Sequence, residues 1–213
     1  MKFPRAHKTL PWLLMGAFVI AASPAAQTAG EASLVEIRGG TAAFHVGTNV
    51  LAIMVHGKSS ALEAHAIIRE EPGGIVLERI DATLPVISLS TGMGLRDAHM
   101  RRYIFTTEDG QLPDLRFAAG ETPCASEVSG QSVCKVTGTL TVRGTTQPFA
   151  VSLKVKRNGN GFQAEGEGAL KLSSFGIPQP SQLGVKTLDD VKLEIAFTAR
   201  RSGAQASAMR TQR

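Results

Sequence analysis

Between Val136 and Ile177 the chain reads VTGTLTVRGTTQPFAVSLKVKRNGNGFQAEGEGALKLSSFGI. Apolar and polar residues alternate there with the two-residue period of a strand that has one dry face and one wet face. Val151, Leu153 and Val155 point one way; Ser152, Lys154 and Lys156 point the other. In the next strand Phe162, Ala164, Gly166, Gly168, Leu170 and Leu172 share a face, opposite Gln163, Glu165, Glu167 and Lys171. The stretch therefore predicts three antiparallel strands and two turns. Its second dry row carries Ala, Gly and Gly in succession, where a strand built for packing alone would carry Val, Ile or Leu. Small inward residues predict room inside the sheet, and such room can hold a ligand.

Most of the remaining chain carries the same period. Ser33 to Arg38 is a short strand, and Thr41 to Val46 pairs with Val50 to His56 across a Gly47-Thr48-Asn49 turn. Ala61 to Ile68 ends at the turn signal Glu71-Pro72-Gly73-Gly74, followed by Ile75 to Asp81 and Thr83 to Ser88. The pattern then breaks: Leu95, His99 and Met100 have helical spacing within Met93 to Tyr103, with Thr91 as the expected N-cap. Strands resume at Leu115 to Ala119. The last runs from Asp189 to Thr198, with Val191, Leu193, Ile195 and Phe197 inward and Lys192 and Glu194 outward. About eight strands and one short helix result. No crossover helix follows each strand, which excludes a parallel α/β sheet and leaves an antiparallel barrel or sandwich.

The first residues read as an export leader. Lys2, Arg5 and Lys8 precede an apolar run from Leu10 to Ala22, too short to span a bilayer, and small residues follow at Ser23-Pro24-Ala25. The expected organisation is a signal peptide over 1–25, one domain over 31–200 and a disordered, polar tail over 201–213, with the mature protein in the periplasm. Three of the 23 basic residues lie in the leader and four more at Arg200, Arg201, Arg210 and Arg213, so the net +5 comes from the two ends. It is not a nucleic-acid footprint, and aromatic residues do not interleave with basic ones. Cys124 and Cys134 stand at equal distances from the turn-like Ser129-Gly130. An exported chain favours their oxidation to a disulfide; two free thiols are the alternative.

Motifs for chemistry are sparse. Ser88-Leu89-Ser90-Thr91-Gly92 does not form a nucleophile elbow, and Gly166-Glu167-Gly168 lies within a strand where no phosphate loop fits. His45, His56, His65 and His99 have no metal-ligand spacing. No catalytic residue, metal or cofactor is expected. Arg96, Asp97 and His99 share one short helix and are expected to cap a barrel end or meet a polar head group; an acid–base group is the rival reading.

These segments resemble the YceI family of exported bacterial proteins. Gly138-Thr139-Leu140-Thr141 with Gly144, Thr146, Gln147 and Pro148 is similar to its G-x-L-T-x-x-G-x-T-[KR]-P signature. Ser174-Phe175-Gly176-Ile177 resembles its D-F-G-I turn, with Ser in place of Asp, and Arg96-Asp97-x-His99-Met100 its R-D-x-H-L helix. Phe105, Pro113, Phe117 and Asp190-Val191-x-Leu193-x-Ile195 follow in the family's order. In the first half, Phe44-His45-Val46 keeps part of an F-x-V-x-H pattern. The resemblance implies an all-β, eight-stranded antiparallel lipocalin-like barrel with one short helix. It implies a lumen that holds an apolar or amphiphilic small molecule such as a polyisoprenoid lipid. Phe44, Val46, Phe105, Phe117, Phe162, Ala164, Gly166, Leu193, Ile195 and Phe197 are then the expected ligand contacts. The rival functions are a hydrolase-like enzyme acting on a lipid or amide, and a barrel without ligand whose rim meets a membrane-protein partner.

Overall fold

The structure, a computed structural model, describes residues 32–126 and 130–205. Ten strands form: β1 (Ala32–Thr48), β2 (Met54–Glu71), β3 (Gly74–Leu84), β4 (Leu115–Ala119), β5 (Thr122–Ser126), β6 (Gln131–Val142), β7 (Thr145–Asn158), β8 (Gly161–Lys171), β9 (Ser181–Gln182) and β10 (Val185–Gln205). Among the described residues the single α-helix is α1 (Gly94–Met100), which runs on into a π turn over Arg101–Phe105. Pairing proceeds antiparallel through β1, β2, β3, β4, β6, β7, β8 and β10, and β10 returns to β1. β5 follows β4 and pairs with the same two neighbours, β3 and β6, so the two act as one interrupted stave. The result is a closed eight-stave antiparallel barrel, which leaves no long sheet edge exposed.

Long strands replace the shorter segments expected in the first half. β1 is continuous from Ala32 to Thr48 because Gly39, at φ +73°, absorbs a bulge between Ile37 and Gly40 that bends the strand without ending it. The first hairpin turns later than the Gly47-Thr48-Asn49 signal suggested. Gly47 still pairs with Met54, and the turn holds Asn49 to Ile53. Buried Thr48 explains the shift: its hydroxyl lies 2.9 Å from the carbonyl oxygens of both Val50 and Ile53 and accepts from the Val50 N–H. Asn49 then anchors this turn to the β9–β10 turn, accepting from the Lys186 N–H at 2.8 Å and donating to the Gly184 carbonyl. β10 continues to Gln205, so the expected tail begins at least five residues too early. The leader and residues 206–213 lie outside the described residues, as does part of the Ser129-Gly130 turn.

The signature glycine Gly138 has a steric reason. A Cβ there would sit 2.2 Å from the Ala118 carbonyl oxygen, so only glycine lets β6 approach β4 this closely. Arg143 (φ +51°) and Gly144 (φ +79°) supply the two left-handed residues of the tight β6–β7 turn.

The end of the barrel that holds the β2–β3 and β7–β8 turns is packed solid. Val35, Ile68, Leu77, Val155, Phe162 and Ala164 belong to one buried cluster there, together with the disulfide between Cys124 and Cys134. Arg157 and Arg201 place their guanidinium groups over the Phe162 ring, at 5.9 and 5.7 Å from its centre, and both pair with Glu70. The Arg157 hydrogen bonds hold the Glu70 carboxyl below its ordinary 4.5; partial burial opposes them and the Arg201 charge assists. A carboxyl with a lowered folded value adds stability above its unfolded value, and that contribution disappears as pH falls through the folded value. Glu70→Gln is therefore expected to melt lower than the parent at neutral pH. The gap should narrow as pH falls below the ordinary carboxyl value and through the lower folded one in a thermal-unfolding series; a constant gap at every pH would refute this role.

Candidate functional site

The opposite half of the barrel is hollow. Its cavity measures about 950 Å³ and extends from buried Ile80, Val136 and Leu153 to fully exposed Leu183, where it opens to solvent. The walls are apolar because every stave contributes its dry row. Phe117 and Phe149 meet edge to face within it, ring centres 5.9 Å apart. Among the described residues, charged or titratable side chains reach it only near the mouth, at Arg96, His99, Tyr103 and Arg116. An interior of this kind can hold an apolar chain and cannot solvate a buried charge.

Seven of the ten expected contact residues line this cavity: Phe44, Val46, Phe105, Phe117, Leu193, Ile195 and Phe197. Phe162, Ala164 and Gly166 do not. Phe162 and Ala164 are buried in the packed end, and the space above Gly166 is already occupied. A Cβ on Gly166 would meet Leu153 Cδ2 at 2.5 Å and Ile195 Cγ1 at 3.0 Å. Above Gly168, which does reach the cavity wall, lies the Phe149 ring, with Cζ 2.6 Å from a Cβ placed there. The small residues thus do not create the lumen. They receive large side chains from neighbouring staves, a pairing that fills the sheet face.

Phe149 was missed, although it stands two residues before Val151 and continues the same inward row. Phe175 and Ile177 were quoted in the family turn without a place. That turn carries left-handed Gly176 (φ +67°), which lets the Ile177 N–H donate to the Leu172 carbonyl and folds both apolar side chains into the cavity wall. Leu62 and Leu84 also line the wall, from β2 and β3, where the sequence pattern gave no inward row.

The helix after β3 sits at the mouth, and its charged residues take separate tasks. Thr91 is not the N-cap; that position is Met93, with no side-chain cap. Buried Asp97 instead accepts from the Thr91 N–H at 2.7 Å, the Thr91 hydroxyl and the Ser90 hydroxyl. The Thr91 hydroxyl bond is the main reason its carboxyl lies below the usual range; burial opposes it, and the Thr91 N–H, Ser90 and the Arg101 charge add to it. Arg96 donates to the Thr91 hydroxyl and carbonyl, both at 2.8 Å, while His99 lies 3.3 Å from Gln182 Oε1 and edge-on to Tyr103. Arg96 and His99 line the mouth and Asp97 does not. The three do not converge as an acid–base group. They pin α1 to the segment before it and to β9, and they leave two polar side chains at the opening.

The sequence profile of the YceI-like domain matches residues 31–199. A UPF0312 protein of Pseudomonas paraeruginosa is 32% identical over 106 residues, 47% of this chain and 52% of that protein. The chain thus spans about half the length of this curated relative. Among solved structures, BcnA of Burkholderia cenocepacia superposes with a TM-score of 0.55 at 18% identity, covering 75% of this chain and 94% of that one. A domain of Saccharophagus degradans, described as polyisoprenoid binding and implicated in plant cell wall breakdown, gives 0.55 at 10% identity, covering 79% and 98%. At these identities the structural likeness concerns the fold.

Proposed function

The chain belongs to the YceI-like domain family, and from that premise we propose that it is an exported, periplasmic carrier that sequesters a long apolar or amphiphilic molecule of polyisoprenoid type. The observation that carries this reading is the apolar cavity of about 950 Å³ with one open end. That volume lies at the upper end of small-molecule sites, which run to about 1,000 Å³. Each buried CH₂ gains about 0.8 kcal/mol, so a dozen would supply about 10 kcal/mol before the cost of ordering the chain. Binding of this strength needs no reacting group, and carriage is the function proposed. The ligand's tail lies along Phe117, Phe149 and Leu193, and any polar head group rests at Arg96 and His99. The polyisoprenoid description of the Saccharophagus domain supports the ligand class. The apolar run after a basic start, Leu10 to Ala22, supports export.

The test is organic extraction of the purified protein followed by mass spectrometry. About one long apolar molecule per barrel is expected. Recovery of no lipid, together with no uptake of a fluorescent polyene by the extracted protein, would overturn the reading.

A further inference from the structure

The barrel is asymmetric in a way that carriage alone does not require. Among the described residues every exposed large apolar side chain lies at the mouth end, on the turn after β1, the segment around α1, and the β9–β10 turn with the start of β10. Leu51, Ile53, Met93, Leu95, Tyr103 and Leu183 form this rim, and all but Leu51 also line the cavity. The described turns at the packed end carry Glu71, Pro72, Gly73, Gly159 and Asn160 instead. The walls between are wet: Ser152, Lys154 and Lys156 on β7 and Gln163, Glu165 and Glu167 on β8 are exposed.

Leu183 is the sharpest case. It is 97% exposed, and at φ +52° it occupies a left-handed position in the two-residue turn before Gly184, where Asn would be favoured. Leucine is thus a poor choice there for both solvation and backbone, and such outliers mark functional positions. The rim's charge is also biased. Its three segments, 48–55, 86–105 and 178–188, carry Arg96, Arg101, Arg102 and Lys186 against one acid, the buried and fully engaged Asp97. Asp189 and Asp190 are held by Ser173 and Lys171, while Glu108, Asp109 and Asp114 sit on the loop before β4, which bears none of the exposed apolar side chains.

We propose that this rim docks the barrel, mouth down, onto a bilayer surface bearing anionic headgroups, so that an apolar ligand passes between membrane and lumen without crossing water. The apolar tips enter the headgroup layer and the exposed Arg102 and Lys186 meet the phosphates, while Arg96 and Arg101, which donate to Thr91, Ile87 and Leu89, add to the positive field. This combination holds peripheral proteins at anionic membranes. The proposal rests on the carrier reading, and the experiment separates the two.

Flotation is measured with phosphatidylcholine vesicles, with and without phosphatidylglycerol, for the purified protein and for Leu51→Ser with Leu183→Asn. Vesicle binding by the parent should require phosphatidylglycerol and weaken in high salt. The double variant should bind about tenfold or more weakly. Its melting temperature should be unchanged or raised, because Asn suits the left-handed position. A lumen-blocked variant, Ala82→Phe, should float like the parent even if it carries no lipid. Equal flotation of the double variant and the parent would overturn the proposal. So would a parent that ignores all vesicles and instead forms a dimer that the rim substitutions dissolve.

Discussion

Replacing Ala82 with phenylalanine is expected to empty the barrel of ligand while leaving the barrel folded. Ala82 stands on β3 opposite Ala64 and Phe117, lines the cavity, and touches both the packed core and the cluster at the mouth. A ring there projects into open volume at the waist of the lumen. Excluding about four methylenes of ligand costs about 3 kcal/mol, which is about a hundredfold in affinity. Lipid recovered per barrel by mass spectrometry should fall accordingly. The melting temperature of ligand-free protein should hold or rise, since filling a void adds contacts. The same experiment at Gly166 should go the other way. Gly166→Val would drive into Leu153 and Ile195, and overpacking of this kind costs about 1–3 kcal/mol. Full lipid content in Ala82→Phe would mean that the cavity is not the binding site.

Removing the disulfide is expected to produce the largest loss of stability. Cys124 and Cys134 are ten residues apart, buried in the packed end, and join β5 to β6. Closing a loop of this length removes about 3 kcal/mol of unfolded-state entropy. In a domain of this size that equals a fall of about 6–12 °C in melting temperature for the double alanine variant. Ligand content should change little, because the bond lies at the end away from the mouth. A double variant that melts with the parent, or a parent whose unfolding is indifferent to reductant, would contradict this assignment.

The parts of the fold legible in the sequence are those set by local period and by equal spacing from a turn. Val151, Leu153 and Val155 are buried and Lys154 and Lys156 exposed, as alternation requires. The cysteines face each other because Ala125 pairs with Val133 in the same register. Asp97 is an instructive partial success. The helix motif located it, but its partners Ser90 and Thr91 depend on how the chain enters the helix, which no periodicity describes. The first half was less legible because its strands carry a bulge at Gly39 and a turn set by the buried hydroxyl of Thr48. Both interrupt the pattern without ending the strand pair.

The sequence by itself determined the wet and dry faces of β7, β8 and β10, the antiparallel order of β6 to β8, the facing positions of the two cysteines and the family motifs. The tertiary structure decided where along the barrel the dry face meets a ligand-sized space. Period two assigns a side chain to the inside but says nothing of its height on the barrel axis or of what stands opposite. Phe162 and Ala164 fall in the half closed by Arg157, Glu70 and Arg201, and Leu153 and Ile195 occupy the room above Gly166. The hollow lies higher, between Phe44, Ala82, Phe117 and Leu193, where staves drawn from the whole length of the chain stand apart.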